Sequence, residues 1–147
     1  MSTGPTVVVG EYVKGLGEGR RYVSIPYYRR EIERVIGTRP FPGTFNVRVE
    51  REERESLREL ASSYGYRIEP HGEYGGAWLY PCLVGGRPAW LVFPDLTEHR
   101  DQVEFISETE LRREINVTHG DTVKIEVWGP SIWELVRKLT CNPSGGR

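Results

Sequence analysis

The sequence has few cysteines, no long apolar run and almost no net charge. Its two cysteines, Cys82 and Cys141, lie far apart and form no CxxC pair, so neither a disulfide framework nor a zinc site is predicted. No stretch reaches the roughly 18 to 20 apolar residues of a membrane-spanning helix. The first residues also lack the charged and apolar regions of a signal peptide. We therefore expect a cytoplasmic protein with no membrane partner.

The charge balance argues against binding to duplex nucleic acid. Lys and Arg number 20 and Asp and Glu number 21, which gives a formal net charge of −1. Such binding needs a basic surface that displaces counterions from the phosphates. Residues 11–39 carry seven basic and four acidic side chains, so a nucleic-acid-binding regulator stays open as an alternative. We nevertheless expect no nucleic-acid partner.

Short runs of alternating or β-branched residues recur along the chain, and most are bounded by glycine or proline, which is typical of a β-rich domain. The length fits one compact domain, residues 1–147. Gly85-Gly86 suits a hairpin turn because glycine tolerates a positive φ. Gly120-Asp121 is a second predicted turn. The predicted strands are Thr6–Val13, Phe45–Glu50, Ala77–Val84, Ala89–Phe93, Val103–Ile106 and Thr122–Trp128.

Short helices are predicted between the strands. Tyr27–Ile36 has one apolar face, with Pro26 at its start and Gly37 at its end. Glu55–Tyr64 repeats this arrangement and ends at Gly65. Two further helices are expected where a serine and a glutamate have capping-box spacing: one from Ser107 to about Ile115, and a C-terminal one from Ser131, followed by a loose tail to Arg147.

A glycine-rich segment, Gly15-Leu16-Gly17-Glu18-Gly19-Arg20-Arg21, follows the first strand. Alternate glycines let backbone N–H groups approach an anion, and arginines donate to phosphate oxygens. The spacing is neither GxGxxG nor GxxxxGK[ST], so no Rossmann or P-loop site is indicated. Spacing alone leaves a flexible hairpin loop as the alternative.

The segment Pro40-Phe-Pro-Gly-Thr44-Phe45-Asn46-Val47 begins the second strand. If Phe45 and Val47 face the core, period two places Thr44 and Asn46 together on the other face. Hydroxyl and amide oxygens are ligands that Mg²⁺ accepts while it keeps waters and polyphosphate oxygens. The alternative is an ordinary turn with an exposed polar face.

A polar loop, Pro94-Asp-Leu-Thr97-Glu-His99, lies between two predicted strands, and Glu104 follows in the next strand. Loops held by a rigid sheet often contact small molecules. Glu104 alternates with Val103 and Phe105, so it is expected to point away from the core. His71 and His119 stand alone, without metal-ligand spacing.

The segment Thr109-Glu110-Leu111-Arg112 falls in the first turn of the helix predicted after Ser107. Backbone N–H groups and the helix dipole at such a turn favour an anion or a polar ring edge. A solvated helix face is the alternative for Arg112.

Together these segments have a distinctive order: GLGEG after strand one, then PFPGTFNV, PxxTxH, Leu111-Arg112, and Gly-Asp before the last strand. This set resembles the archaeal CTP-dependent riboflavin kinase family over roughly residues 6–128. The family usually has GTLN where this chain has Gly-Thr-Phe45-Asn, a change at a core-facing position. The predicted C-terminal helix lies outside the resemblance. Some members carry an N-terminal DNA-binding winged helix, and we expect none here, because few residues precede the first strand.

The resemblance implies a small six-stranded barrel of the cradle-loop type, with short peripheral helices. It implies transfer of the terminal phosphoryl group of CTP to the 5′-hydroxyl of riboflavin. We expect the protein to be a monomer. Mg²⁺ would be held by Thr44 and Asn46, and the flavin by Thr97 and Glu104. The nucleotide would be held by Gly15, Leu16, Gly17, Glu18, Gly19, Arg20, Thr109, Glu110, Leu111 and Arg112.

No catalytic base is assigned from the sequence; Glu18, His99 and Glu104 are candidates. The transition state of phosphoryl transfer is loose, so the attacking hydroxyl needs little early deprotonation. A flavin- or nucleotide-binding barrel without turnover stays open as an alternative function.

Overall fold

The computed structural model describes residues 4–15, 23–97 and 101–130 of the chain. Within these ranges the chain is mainly β, as predicted, and its helices are short. The strands are β1 Thr6–Val13, β2 Phe45–Arg48, β3 Tyr66–Ile68, β4 Ala77–Val84, β5 Arg87–Pro94, β6 Gln102–Ile106 and β7 Thr122–Val127. The helices are α1 Pro26–Ile36, α2 Arg51–Tyr64 and α3 Leu111–Glu114.

The six predicted strands form a ring-like antiparallel sheet. Their order is β4-β5-β6-β2-β1-β7, and a second pairing joins β7 back to β4 at Leu83↔Glu126 and Val84↔Ile125. The seventh strand, β3, was not predicted and pairs with the first half of β4. The barrel-like architecture implied by the resemblance is therefore present, with one extra short strand beside the ring.

Strand β4 has two partners on one side, and Pro81 lies between them. Its residues 77–79 pair with β3 and its residues 83–84 pair with β7. Proline has no backbone N–H and is therefore excluded from most central strands. The interval between the two partners explains how β4 accommodates Pro81 in its middle.

Alternation along the strands divides the apolar side chains into two clusters. One set fills the ring and includes Val47, Leu91, Phe105 and Ile125, each 0% exposed. The other set lies outside the ring under α1 and contains Tyr28, Ile32, Ile68, Ala77, Leu79, Val92 and Ile106. The sheet therefore buries its inner face completely and part of its outer face under a helix.

Three turns and helix ends agree with the sequence. Helix α1 has Pro26 in its first turn and ends at Gly37, where φ is +81° and the N–H donates to the Glu33 carbonyl. Gly85 and Gly86 have φ values of +56° and +80° in the hairpin between β4 and β5. Gly120 has a φ of +93° in the turn before β7.

Helix α2 begins four residues before the predicted start at Glu55. The side chain of Glu50 accepts from the backbone of Glu53, whose side chain in turn accepts from the Glu50 N–H. This reciprocal capping extends the helix to Arg51. Gly65 follows the helix in extended conformation, and a Cβ there would lie 2.4 Å from the carbonyl oxygens of Ala61 and Leu79.

The helix predicted from Ser107 to about Ile115 is wrong in its start and length. Helix α3 is a single turn, Leu111–Glu114, and no side chain caps it. The Ser107 hydroxyl instead donates to the Pro88 carbonyl at 3.3 Å and accepts from the Thr109 N–H at 3.3 Å. Ser107 therefore shapes a turn, and a helix-dipole argument does not apply to this segment. The helix predicted from Ser131 lies outside the described residues.

Cys82 is buried in the ring and has a free thiol. Burial raises the pKa of this thiol, so the thiolate is disfavoured. Cys141 lies outside the described residues. The position of Cys82 agrees with a structural rather than a reactive cysteine.

An ion pair ties β3 to the end of β5. The Arg67 guanidinium donates to both carboxylate oxygens of Asp95 at 2.8 and 2.7 Å, and the side chains are 27% and 31% exposed. Asp95 also accepts from the Gly76 N–H at 3.1 Å. These bonds, the one from Arg67 foremost, lower the pKa of Asp95.

We predict that Asp95→Asn lowers the free energy of unfolding by about 1 to 2 kcal/mol at neutral pH. The depressed pKa stabilises the fold above the unfolded-state value of about 3.9, and this stabilisation disappears as pH falls through the folded-state pKa. Urea unfolding of both proteins between pH 7 and pH 3 measures the difference, which should shrink below about pH 4.

Glu69→Gln is the matched control, because Glu69 contacts the same Arg67 at 3.3 Å but is 69% exposed. It should change stability by less than about 0.5 kcal/mol. An Asp95→Asn effect that is independent of pH would contradict the assignment.

Strand β1 passes very close to β2 at Gly10. A Cβ at this position would lie 2.3 Å from the Arg48 carbonyl oxygen and 2.6 Å from Val47 Cγ1. We predict that Gly10→Ala destabilises the fold by about 1 to 3 kcal/mol, because the backbone of β1 or β2 must shift. Thermal unfolding followed by circular dichroism measures this. Gly129→Ala, where a Cβ meets nothing within 4 Å, serves as control and should unfold like the unaltered protein.

Candidate active site

Thr44 and Asn46 lie side by side at the start of β2. The Thr44 hydroxyl donates to Asn46 Oδ1 at 3.1 Å, and both side chains are half-buried. Between them, Phe45 is buried and stacks on Tyr12 with ring centroids 4.7 Å apart. The predicted alternation is confirmed, since the aromatic residue faces the core and the two polar residues share the opposite face.

The first glycine of the glycine-rich segment lies against this pair. Strand β1 pairs with β2 at Val13↔Asn46, and Gly15 follows two residues later. A Cβ on Gly15 would lie 2.5 Å from Asn46 Nδ2. The exit of β1 is thus held next to the Asn46 amide. The remaining predicted residues of this segment lie outside the described residues: Leu16, Gly17, Glu18, Gly19 and Arg20.

Glu104 lies opposite Asn46 on the neighbouring strand. The register of β2 and β6 pairs Asn46 with Glu104, and the flanking Val103 and Phe105 are buried. Directly opposed residues of an antiparallel pair point to the same face, with Cβ atoms about 4.5 to 5.5 Å apart. The half-buried Glu104 therefore shares the face of Asn46 and points away from the core, as predicted.

The segment from Thr109 to Arg112 lines a small pocket of ≈ 60 Å³. Thr44 and Tyr12 also line this pocket. Leu111 is buried and anchors the segment, whereas Arg112 is exposed. The segment lies beside Thr44 although it is not the start of a long helix.

Tyr12, which no sequence motif singles out, also lines this pocket. Burial raises the pKa of its hydroxyl, while the positive charge of Arg112 acts in the opposite direction and Glu110 adds to the rise. The hydroxyl therefore stays protonated and is available as a hydrogen-bond donor. No local pattern marks Tyr12, because its place beside Thr44 depends on the pairing of β1 with β2.

Thr97 is not brought to Glu104 by the sheet. Strands β5 and β6 pair at Val92↔Glu104, so Thr97 lies 97 − 92 = 5 residues further along. It follows the end of β5 and is half-buried. His99 lies outside the described residues. The flavin role that the resemblance implies for Thr97 therefore stays a prediction.

The described residues hold no cluster of three or more His, Cys, Asp or Glu side chains suited to a metal ion. Thr44 Oγ1 and Asn46 Oδ1 are 3.1 Å apart, close to the edge of about 2.9 Å of an octahedron with 2.0 to 2.1 Å Mg–O bonds. The pair fits Mg²⁺ in donor type and spacing.

Within the described residues, no helix has both the length and the apolar composition required to cross a bilayer.

Comparison with known proteins gives relatives along the whole chain. The chain is 90% identical over 147 residues to a riboflavin kinase of Methanopyrus kandleri, and the match covers all of both chains. It is 34% identical over 126 residues to a riboflavin kinase of Methanoculleus marisnigri, covering 82% of this chain and 56% of the relative. A riboflavin kinase of Thermoplasma volcanium is 35% identical, with 82% and 57% covered.

The family model of the CTP-dependent riboflavin kinases, which is described as a domain of unknown function (DUF120), matches residues 12–127. The match begins at Tyr12 and ends at the last residue of β7, so it includes Thr44, Asn46 and Glu104. The chain therefore belongs to the CTP-dependent riboflavin kinase family.

Proposed function

We propose that this chain is a CTP-dependent riboflavin kinase, which transfers the terminal phosphoryl group of CTP to the 5′-hydroxyl of riboflavin and releases FMN and CDP. The observation that carries the proposal is 90% identity to a riboflavin kinase over the full length of both chains. The name of the matching family model supports CTP as the phosphoryl donor. The convergence of Gly15, Thr44, Asn46 and Glu104 supports it independently.

Phosphoryl transfer asks the protein chiefly to position the reactants and to stabilise charge on the phosphate oxygens. Gly15 starts the segment that, in this proposal, receives the nucleotide phosphates. The absence of a side chain at Gly15 matters, because a Cβ would collide with Asn46. In this proposal, N–H groups of the segment that begins at Gly15 would bind the phosphates close to the Asn46 side chain.

Mg²⁺ is the proposed cofactor, with Thr44 Oγ1 and Asn46 Oδ1 as its protein ligands. When bound, it would neutralise phosphate charge and orient the transferred group. Thr44 would then turn its hydroxyl hydrogen away from Asn46, so that both oxygens present lone pairs to the cation. Because both ligands are neutral, the remaining coordination would come from phosphate oxygens and water.

Glu104 is proposed to contact riboflavin and to orient its 5′-hydroxyl. Its carboxylate shares a face with Asn46, which would place an acceptor on the side where the hydroxyl attacks. Of the three candidate bases, Glu104 is the one within the described residues, since Glu18 and His99 lie outside them. Thr97 is proposed as a second flavin contact, and Thr109 to Arg112 as contacts to the nucleotide.

The proposal further treats residues 6–128 as the barrel domain of a cytoplasmic monomer. Its substrates are small molecules, and it has no nucleic-acid or membrane partner. Sedimentation at several protein concentrations would test the oligomeric state.

The proposed activity is tested by incubating the purified protein with riboflavin, Mg²⁺ and each of CTP, ATP, GTP and UTP. We expect FMN with CTP and little with the other nucleotides, measured by chromatographic separation of the flavins. No FMN with any nucleotide would reject the kinase. High-affinity binding of riboflavin, seen as quenching of its fluorescence, without FMN formation would then indicate a flavin-binding module. Salt-dependent binding to DNA or RNA would indicate a nucleic-acid-binding regulator.

The metal assignment predicts that Thr44→Ala combined with Asn46→Ala lowers kcat at least about 100-fold, because the charge on the transferred group is no longer held in place. Steady-state FMN formation at several Mg²⁺ concentrations measures this, and circular dichroism checks the fold. Thr6→Ala removes a threonine that is exposed at the start of β1 and should leave the rate unchanged. Full activity in the double variant would exclude these oxygens as ligands.

A further inference from the structure

Just after the end of β1, a backbone N–H donates to a side chain instead of to a neighbouring strand. The Lys14 N–H donates to Nδ1 of His119 at 3.2 Å, across 105 positions of sequence. Lys14 directly precedes Gly15, the residue that packs against Asn46. The contact therefore lies where the chain passes from the sheet to the glycine-rich segment.

The His119 side chain continues the pairing of β1 with the β7 side of the ring. The ladder of β1 and β7 runs as far as Glu11↔Thr122. Beyond it, the Tyr12 N–H donates to the Asp121 carbonyl, and the Gly120 N–H donates to the Tyr12 carbonyl, each at 2.8 Å. At Lys14, two residues further on, the imidazole accepts in place of a backbone carbonyl.

The turn that carries His119 is itself strongly restrained. The Asp121 carboxylate accepts from the Thr118 N–H at 2.8 Å and from the Thr118 hydroxyl at 3.2 Å. The Asp121 N–H donates back to the Thr118 carbonyl at 3.0 Å, and Gly120 has a φ of +93°. The main-chain turn and the side-chain bonds of Asp121 together leave this backbone little freedom. His119 therefore projects from a fixed point beside β1.

We propose that His119 is a positioning residue for the nucleotide site. By holding the Lys14 N–H, it fixes the point at which the glycine-rich segment leaves the sheet, so that Gly15 stays against Asn46. This inference rests on the proposed function, because it assigns the segment to the nucleotide phosphates. His119 has no role in the reaction other than through Lys14 and Gly15.

The hydrogen bond defines which substitutions are informative. Nδ1 accepts, so the hydrogen of the neutral ring is on Nε2. Asparagine places its Oδ1 at the same number of bonds from the backbone as Nδ1 of histidine, and this oxygen is also an acceptor. Alanine removes the acceptor. The pair His119→Asn and His119→Ala therefore separates the hydrogen bond from other effects of replacing the ring.

The kinetic experiment compares KM for CTP, KM for riboflavin and kcat in the unaltered protein and in both variants. We expect His119→Ala to raise KM for CTP about fivefold, as expected for one lost neutral hydrogen bond. KM for riboflavin and kcat should stay within about twofold, and His119→Asn should restore most of the CTP affinity. His71→Ala is the matched control, because His71 stacks on Tyr27 beside α1 and should leave KM for CTP unchanged.

Two measurements keep this inference separate from the proposed activity. Amide hydrogen exchange of the full chain should be slow at Lys14 in the unaltered protein and in His119→Asn, and about fivefold faster in His119→Ala. Calorimetric titration with CTP and Mg²⁺ should show the same order of affinities. If the unaltered protein formed no FMN but the titration kept this order, the kinase would fail and the positioning role would stand.

The opposite outcomes overturn the positioning role. Equal CTP affinity in His119→Ala and the unaltered protein would show that the contact does not position the site. An equal loss in His119→Asn and His119→Ala would show that the acceptor is not what matters. Thermal unfolding confirms that both variants are folded. If the alanine variant is not, His119→Asn decides: CTP affinity that follows the exchange rate of the Lys14 amide supports the role, and affinity that changes independently of that rate overturns it.

Discussion

The position of β1 between two partners is the constraint on which the candidate site depends. On one side β1 pairs with β7 over six residues, and on the other it pairs with β2 at Glu11↔Arg48, Tyr12↔Val47 and Val13↔Asn46. A strand bonded on both sides has a single register, because a slip of one residue would reverse every side chain. This register determines that the chain leaves the sheet beside Asn46. The close approach at Gly10 belongs to the same constraint, since it lets the backbones of β1 and β2 meet.

The buried face of β2 determines where the polar side chains on its other face lie. Phe45 is buried and stacks on Tyr12, while its neighbours Thr44 and Asn46 point to the opposite face. The apolar side of this short strand thus fixes the polar side through the backbone alone. Phenylalanine in place of the leucine usual in the family is compatible with this arrangement, because its ring has a stacking partner in Tyr12. The substitution therefore changes the core and leaves the polar pair in place.

Much of the fold is predictable from local patterns, and most of the remainder depends on long-range pairing. Six strands follow from alternation and from bounding glycines, and Pro26 and Gly37 define α1. β3 was missed because three residues contain too little alternation, and the start of α2 was missed because a glutamate caps it. In the site, the Thr44–Asn46 pair is predictable because it is local to one strand. The pairing of Asn46 with Glu104 and the contact of Lys14 with His119 depend on register across 58 and 105 positions, which no local pattern contains.

The closure of the ring between β4 and β7 is its shortest pairing. It consists of two residue pairs, whereas β4 and β5 share eight, and Pro81 lies just before it. The strand pairing is therefore shortest along this line. The Gly85 N–H adds one bond to the Lys124 carbonyl at 2.8 Å, and the Tyr80 hydroxyl donates to the Trp128 carbonyl at 2.7 Å. Local opening of a protein begins where such bonds are fewest. We therefore expect local opening of the sheet to begin between β4 and β7, while the strands that carry Asn46 and Glu104 stay paired.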